Sequence, residues 1–419
     1  MSTNIDKNPS ALNIIFRSLH YRNYRLFFSG QTISLIGTWM QTIAMSWLVY
    51  RITNSPFVLG VVAFSSQIFN FILGPFIGVF VDRYNRHRIL IVTQILSMIQ
   101  AFILFFLVEQ KLIAVWHIIV LSMFLGIINS LDVPARQSFV VDMVEKKEDL
   151  GNAIALNSFM FNFARIIGPS VSGIIIGIGG ESFCFFLNGL SYIPVIIALL
   201  LMKIARRNIK NPEQDVVKAL KEGFKYSFGS MPIKIILFLT GITSLMGMSY
   251  VVLMPVFAVN IFGGQAQDYG YLMGAIGVGA LLGTIYLASH TSIASLTRKI
   301  TAASALFGIT LVLFGLSKNL WLSVVILAFV GFSMMIQLAS SNTVLQSIIE
   351  DSKRGRVMSL YAMALMGVSP FGSLLAGALA NKIGAPNTII IGGLFCVFGS
   401  YLFAVKEHQL RKAVQAAQF

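Results

Sequence analysis

Long apolar segments separated by short charged loops constrain this chain more than any other feature of its sequence. Two of these segments, Phe57 to Phe80 and Ile89 to Val108, enclose a loop that carries three arginines and one aspartate. An apolar run of about twenty residues is long enough to cross the hydrocarbon core of a membrane as a helix. The charged loop therefore lies at a membrane surface, and the chain is predicted to be an integral membrane protein.

The composition and the spacing of the segments predict many crossings. Of the 419 residues, 56% are hydrophobic and only 11% are charged, which is more apolar than a globular protein of this size. Two sets of six apolar segments follow one another, so we predict an all-α membrane protein with twelve transmembrane helices in two pseudo-symmetric six-helix halves. The predicted boundaries are a cytoplasmic N-terminal amphipathic segment at 1–26, an N-terminal half at 27–202, a cytoplasmic linker at 203–234, a C-terminal half at 235–405 and a cytoplasmic tail at 406–419.

Two amphipathic stretches lie outside the apolar segments. Residues 10 to 25 place apolar side chains on one helical face and basic ones around it, which predicts a short helix at the membrane interface. Asp215 to Tyr226, within the linker, has apolar residues at helical spacing and predicts a surface helix that ties the two halves together.

The positive charge of the chain, formally +15, is concentrated on one side of the predicted membrane. Among the loops of the other side the Lys and Arg residues are only Arg51, Lys111, Lys318 and Lys382. Because Lys and Arg accumulate in cytoplasmic loops, both termini are predicted to be cytoplasmic. No soluble module gathers basic residues with exposed aromatics, so we expect no nucleic-acid partner.

The residue patterns predict neither an enzyme nor a metal protein. The two cysteines, Cys184 and Cys396, lie in apolar segments of opposite halves, which makes a disulfide framework or a thiolate metal site unexpected. The chain contains no Gly-x-x-x-x-Gly-Lys-Ser/Thr sequence, so ATP does not drive it directly. We expect no cofactor, no metal and no catalytic residue, because no nucleophile lies beside a positioned base.

Polar side chains at helical spacing predict a substrate pathway inside the membrane. Gln31, Ser34, Thr38 and Gln41 share one face of the first segment. Amides that face lipid are unfavourable, so the two glutamines are predicted to face a water-filled cavity, whereas Ser34 and Thr38 could equally form hydrogen bonds between helices. The predicted pathway residues are Gln31, Thr38, Gln41, Asn162, Arg165, Gln337 and Asn342.

Arg165 is the strongest single candidate for a functional residue. It lies about fourteen residues from either end of the fifth segment, near the middle of the membrane. An arginine at that depth costs at least about 2.5 kcal/mol unless it is paired or hydrated. It either binds an acidic or catecholate-like group of a substrate through charge-assisted hydrogen bonds or clamps onto helix-end carbonyls.

No Asp or Glu lies in the interior of an apolar segment, which limits how protons could be coupled to transport. The acids all lie near segment boundaries. A proton-coupled protein with this sequence would have to use Asp132, Asp268 or His117.

The charged loop resembles the signature loop of the major facilitator superfamily of secondary transporters. Residues 78–88 read Gly78-Val79-Phe80-Val81-Asp82-Arg83-Tyr84-Asn85-Arg86-His87-Arg88 and match the pattern Gly-x-x-x-Asp-Arg-x-x-Arg-x-Arg. Asn85 replaces a family glycine, and asparagine also tolerates a left-handed backbone. His87 stands where the family usually has a basic residue.

The resemblance implies a gating latch at the cytoplasmic surface. In this family an arginine of the loop pairs with an acidic residue at the foot of the fourth span. Asp132 fits that role, with Arg83 or Arg86 as its partner, if Pro134 ends the fourth helix as we predict. The predicted latch residues are Gly78, Asp82, Arg83, Arg86, Arg88 and Asp132.

The fifth segment resembles the motif of exporters and antiporters in this superfamily, through Gly168, Pro169 and Gly173. Three glycines of the full motif are replaced by the small residues Ala155, Ala164 and Ser172. The N-terminal strings 21–25 and 32–39 look like the branch of enterobactin-type siderophore exporters and macrolide efflux pumps.

This branch implies an exporter of a siderophore-like or amphipathic small molecule, coupled to protons and working by alternating access. It would lie in the lipid bilayer of a bacterial inner membrane, and we expect a monomer. Two alternatives stay open: a multidrug or macrolide efflux pump or an importer with the same fold, and a non-transporting receptor or assembly factor. The polar faces inside the membrane argue against the second.

Overall fold

The structure is a computed structural model that describes residues 16–203, 216–289 and 293–416, apart from some side chains within these ranges. Over this part of the chain the secondary structure is helical, without a strand. The helices are α1 (Arg22–Thr53), α2 (Pro56–Arg83), α3 (Arg86–Glu109), α4 (Val115–Met143), α5 (147–179), α6 (181–201), α7 (Val216–Gly229), α8 (Met231–Ile261), α9 (Ala266–Ala288), α10 (Ile293–Leu316), α11 (Leu320–Ile348), α12 (351–383) and α13 (Ala385–Ala416).

Within the described residues, ten helices are long and apolar enough to cross a membrane. One of them, Glu148–Leu201, has 54 residues and contains both α5 and α6. Gly180 separates the two with φ 73° and ψ 179°, a backbone conformation that glycine adopts without steric penalty. Helix α1 has 32 residues but carries several polar side chains, and it is not among the ten.

Two helices of the C-terminal part are irregular. Helix α8 contains π-helical turns at Thr243–Gly247 and Phe257–Ile261, and α12 contains one at Met363–Gly367. Such wide turns interrupt the regular hydrogen-bond ladder and often occur at functional sites. The Ser244 hydroxyl donates a hydrogen bond to the Leu365 carbonyl, which joins the first and third of these turns.

The helices pack in two groups that share a core on one side only. Helices α1 to α6 pack chiefly with one another, and so do α8 to α13. We call the ends that carry loop 84–85 and the linker the basic face, and the other ends the opposite face. One large apolar cluster at the opposite face draws on both groups. Toward the basic face the cores are separate, one within residues 24–202 and one within 233–414.

Several predicted boundaries shift by a few residues. Helix α1 begins at Arg22 rather than 27, α8 begins at Met231 rather than 235, and α13 continues past 405 to Ala416. The predicted linker helix is confirmed at Val216–Gly229. Asp215 lies outside the described residues.

The predicted interfacial helix at 10–25 is only partly described, because residues 10–15 lie outside the structure's description. Its remaining part forms a short 3-10 turn, Arg17–His20, followed by the start of α1. Arg17 forms an ion pair with Asp149 at the start of α5, and the Tyr21 hydroxyl donates to the same carboxylate over 2.6 Å. This hydrogen bond raises the pKa of the Tyr21 phenol. The segment is therefore held by protein contacts at the basic face.

Candidate functional site

Arg165 lies half-buried in the middle of α5, where the two groups of helices meet. It forms no hydrogen bond or ion pair with any residue that the structure describes. Its guanidinium carbon lies 5.9 Å from the centre of the Trp39 ring on α1, a cation–π contact. Tyr250 of α8, in the other group, lies close enough to interact with it electrostatically. The carbonyl clamp expected as an alternative is not formed.

Small residues bring the helices around Arg165 together. A methyl group added at Gly168 would collide with the Trp39 side chain, so glycine here lets α1 approach α5. A methyl group at Gly277 of α9 would lie 2.8 Å from Ile166 Cγ1 and 3.4 Å from the Arg165 carbonyl oxygen. These contacts fix the backbone that carries the guanidinium.

Two seams join the groups toward the opposite face, and a pair of glycines closes each one. In the α5/α9 seam a methyl group at Gly173 would lie 2.9 Å from the Ala266 carbonyl oxygen and 3.2 Å from Gly270 Cα. In the α2/α12 seam a methyl group at Gly60 would lie 2.8 Å from the Ser373 carbonyl oxygen and 3.1 Å from Gly377 Cα. Both seams are too tight for any larger residue without movement of a backbone.

The seams differ in what lies beside the glycines. The α5/α9 seam runs past Gly277 to Arg165. The α2/α12 seam is lined by aromatic rings: Phe371 meets Phe64 at 5.7 Å and Phe71 at 5.5 Å, both edge to face. The sequence motif found Gly173, whereas Gly60 and Gly377 carried no recognisable signal.

The polar face predicted on α1 is buried inside the N-terminal group. Gln41 is 3% exposed, donates to the Gln100 side chain over 2.9 Å and accepts from Asn188 over 2.7 Å. Gln31 is equally buried. Thr38 donates to the Ser34 carbonyl oxygen. The prediction that both glutamines face a water-filled cavity is wrong for this structure, because both side chains are buried and α3 and α6 cover Gln41.

The predicted C-terminal pathway residues lie in two environments. Gln337 of α11 is fully buried and donates to the Thr243 hydroxyl on α8 over 2.7 Å, while its carbonyl oxygen has no hydrogen-bond partner. Asn342 is half-buried and accepts from Gln346 one turn on. In the other group Asn162 is half-buried and donates to the Ser158 carbonyl oxygen. Asn162 therefore lies one turn before Arg165 on the same helix, whereas Gln337 and Asn342 make their hydrogen bonds within the C-terminal group.

The predicted latch partner of Asp132 is wrong. Helix α4 continues through Pro134 to Met143, so Asp132 lies inside a helix and is only 6% exposed. It pairs with Arg136 one turn on, at 3.7 Å, and accepts hydrogen bonds from Thr93 and Gln94 of α3, each at 2.8 Å. An interior proline removes one backbone donor. Helices within a membrane tolerate that loss where neighbouring groups satisfy the freed carbonyl.

The arginines of the loop have other surroundings. Arg86 pairs with Asp142 at 3.6 Å and donates to the Ser138 carbonyl oxygen, which ties α3 to the end of α4. Arg83 and Arg88 are exposed. Asn85 has an extended rather than left-handed backbone and caps α3 by accepting from the backbone N–H groups of residues 87 and 88. The surroundings of Gly78 and of the Asp82 side chain lie outside the described part of the structure.

The other two candidates for proton coupling have structural roles at helix ends. His117 accepts a hydrogen bond from the Ala114 backbone at the start of α4. Asp268 accepts one from the Gln265 backbone at the start of α9. Of the two carboxylates among the three candidates, Asp132 is the more enclosed.

Sequence reasoning missed an ion pair at the opposite face. Arg51, at the end of α1, donates to both oxygens of Glu181, over 2.7 Å and 3.2 Å. Glu181 follows the kink at Gly180 and is buried. The two residues looked like separate loop charges because they lie far apart in sequence.

A protein-family model matches almost the whole chain. Residues 15–418 match a family model described as transmembrane secretion effector.

Three curated relatives of similar length carry names that describe transport. The staphyloferrin A transporter of Staphylococcus aureus is 26% identical over 92% of this chain and 97% of its own. The macrolide efflux protein A of Streptococcus pyogenes is 20% identical over 90% and 95%. The enterobactin exporter of Shigella boydii is 24% identical over 96% and 94%. All three are transporters of the major facilitator superfamily.

Solved structures share the fold at low sequence identity. The peptide transporter PepTSo superposes with a TM-score of 0.71 at 12% identity, over 94% of this chain and 99% of that chain. A bacterial homologue of the lysosomal transporter Spinster gives 0.69 at 13% identity, over 94% and 98%. At 94% coverage of this chain, the likeness includes both groups of helices.

Proposed function

Because the chain belongs to the transmembrane secretion effector family of the major facilitator superfamily, we propose that it exports a siderophore-like or other amphipathic organic compound. Export is coupled to protons and proceeds by alternating access. The observation that carries this proposal is Arg165, a half-buried and unpaired cation where the two groups of helices meet.

The proposed protein architecture has twelve transmembrane helices in two six-helix halves, α1 to α6 and α8 to α13. The ten apolar helices, the break at Gly180 and the length of α1 support this number. The distribution of Lys and Arg supports a cytoplasmic basic face in a bacterial inner membrane. The separate cores at that face and the shared core at the opposite face support a state open to the cytoplasm.

Arg165 supports an anionic group on the substrate. A guanidinium held away from water without a partner gains more from binding an anion than an exposed one does. It can donate two parallel hydrogen bonds to a carboxylate, and the neighbouring Trp39 ring offers a surface for an apolar or aromatic part of the same molecule. The relatives named for staphyloferrin A and enterobactin support a siderophore-like compound.

The fifth-helix motif supports export. Gly168 seats α5 against Trp39, and Gly173 seats it against α9 of the other half. The helix that carries Arg165 is therefore also the helix that closes the opposite face, so release of the substrate there requires α5 and α9 to separate.

Asp132 is the proposed site of proton coupling. It is enclosed by Thr93, Gln94 and Arg136, and the Ser34 hydroxyl lies 3.4 Å from Gln94, which links the carboxylate to α1. Protonation would weaken its attraction to Arg136 and change the contacts between α3 and α4. Asp132→Asn is expected to retain substrate binding and to lose the dependence of efflux on the proton gradient.

The deciding experiment measures efflux of a carboxylate or catecholate siderophore from vesicles with and without the protein, with the proton gradient collapsed midway. Efflux that stops on collapse supports a proton-driven exporter, and efflux down the substrate's own gradient would indicate uniport. Absence of flux for every candidate compound would favour a receptor or assembly factor.

Variants of Arg165 test the anion site within the same assay. Arg165→Gln is expected to lower transport of the anionic compound by roughly 10- to 100-fold, since a hydrogen bond to a charged group is worth about 1.5–3 kcal/mol. Arg298→Gln, an exposed arginine at the basic face, is the matched control and is expected to transport normally. Equal rates for neutral and anionic analogues in Arg165→Gln, at the level of the unmodified protein, would refute the assignment.

A macrolide or multidrug efflux pump is the second candidate. The relative named as macrolide efflux protein A and the exposed aromatic side chains of α5, Phe159 and Phe163, favour it. If the protein is such a pump, we expect it to transport a neutral macrolide, and we expect Arg165→Gln to leave the rate of macrolide transport unchanged. Accumulation of the compound against its gradient on the cytoplasmic side would instead identify an importer.

A further inference from the structure

Helix α7, between the two halves, is fixed to the protein along one face. Glu222 forms an ion pair with Arg356 at the start of α12, at 2.6 Å. Gly223 lies against the same arginine, and Lys353 lies over the Tyr226 ring at 5.9 Å. These contacts hold α7 on the basic end of α12.

The other face of α7 carries four exposed side chains at helical spacing. Lys221, Phe224, Lys225 and Phe228 follow one another at i, i+3, i+4 and i+7, so they share a face. Phe224 is 54% exposed and Phe228 46% exposed, and their rings stack with centroids 4.1 Å apart. This paired aromatic surface, flanked by two cations, has no partner among the described residues.

The position of α7 along the chain places this face at the membrane surface. The helix ends at Gly229, and only Ser230 separates it from the membrane-spanning helix α8, which begins at Met231. A face within one helical turn of the bilayer meets the boundary between headgroups and acyl chains. Phenylalanine rings enter that boundary, while lysine stems reach back to the phosphates.

We propose that the Lys221–Phe224–Lys225–Phe228 face docks on anionic phospholipid in the adjoining leaflet. The charge of the face selects an anionic rather than a neutral headgroup, because each lysine near a negative surface adds attraction. Since the other face of α7 is bound to Arg356, docking also anchors the basic end of α12 to the membrane. This inference does not depend on which compound the protein transports.

The experiment places the full chain in nanodiscs of phosphatidylcholine alone or of phosphatidylcholine and phosphatidylglycerol in equal parts. A spin label at Gly229→Cys, exposed and next to the face, reports its depth through collisions with oxygen and with a water-soluble nickel complex. The two native cysteines are buried, so the label is selective. We expect the label to be shielded from nickel in the anionic bilayer and open to it in the neutral one.

Variants of the face test separately what its lysines and its phenylalanines contribute to docking. Lys221→Gln with Lys225→Gln is expected to lower the preference for the anionic bilayer by about fivefold for each lysine. Lys318→Gln with Lys382→Gln removes two exposed lysines from the opposite face and is expected to keep the full preference. Phe224→Ser with Phe228→Ser is expected to leave the label open to nickel in both bilayers.

Two outcomes would overturn the proposal. One is equal nickel access in both bilayers for the unmodified face. The other is shielding that rises with protein concentration rather than with anionic lipid, which would assign the face to contact with a second copy of the chain.

Discussion

The two seams that join the helix groups are each closed by a pair of glycines, but the side chains next to those glycines differ between the seams. Gly173 against Gly270 and Gly60 against Gly377 bring backbones together at the same face of the molecule. Beyond its glycines the α5/α9 seam leads to Arg165, whereas the α2/α12 seam leads to phenylalanines that meet edge to face.

The difference separates two tasks that a transporter has to perform. Closing one side of the membrane requires only tight, reversible contact, which small residues provide in both seams. Recognising a substrate requires a polar group whose partner is absent from the protein itself, and among the described residues of the two seams Arg165 has that property. We infer that both seams gate the opposite face and that only α5/α9 also selects the substrate.

The largest expected effect comes from blocking either seam. Gly173→Leu or Gly60→Leu places a side chain where a backbone now lies, and such overpacking costs about 1–3 kcal/mol even in cores that can relax. The closed state of the opposite face should become roughly 10- to 100-fold less populated, and transport should fail in both variants. The matched control is Gly74→Leu on the same helix as Gly60, because an added side chain there meets no neighbour within 4 Å.

The state of the opposite face is measured with a cysteine reporter. Ser373→Cys lies in the α2/α12 seam, where the serine is 2% exposed, with Cys184 and Cys396 replaced by serine. A membrane-impermeant thiol reagent added at the opposite face should leave the reporter unmodified in the parent and modify it in both leucine variants. Equal labelling in the Gly74→Leu control would show that the glycine contacts do not hold this face closed.

Adding a single methyl group to each seam tests whether only the α5/α9 seam selects the substrate. Gly277→Ala puts a methyl group against Ile166, beside the backbone of Arg165, so transport of an anionic compound should fall about threefold to tenfold through a higher KM. Gly367→Ala puts a methyl group 2.7 Å from a ring carbon of Phe71, a side chain that can turn aside. Its effect should be smaller and the same for neutral and anionic compounds. A charge-selective loss in Gly367→Ala would show that the α2/α12 seam also takes part in selecting the substrate by its charge.

Much of this fold was predictable because hydropathy is a local property of the chain. The apolar segments, the linker helix and the position of Arg165 in the middle of its helix follow from residues adjacent in sequence, and the family resemblance is confirmed by the match over residues 15–418. Helix ends moved by a few residues, since charged residues such as Arg22 can extend a helix beyond its apolar part.

The partners of polar residues were not predictable, because they depend on which helix faces which. The polar face of α1 predicts a cavity beside Gln41, yet α3 and α6 cover this side chain. The family resemblance predicts Arg83 or Arg86 as the partner of Asp132, yet α4 continues through Pro134 and places Arg136 one turn away. A periodic polar face shows that a helix has an inner side, but not whether water or another helix lies against it.

The smallest expected effect concerns the aromatic side of the α2/α12 seam. Phe371 is partly exposed and meets the rings of Phe64 and Phe71 edge to face, so Phe371→Leu keeps an apolar side chain at this position and should cost less than about 1.5 kcal/mol. Transport rates for neutral and anionic compounds should both stay within about twofold of the parent, and the Ser373→Cys reporter should remain unmodified. If Phe371→Leu instead lowered transport of one bulky compound and spared a smaller one, the phenylalanines would line the path of the substrate. Selection would then be shared by both seams, with charge read by Arg165 and bulk read by the rings.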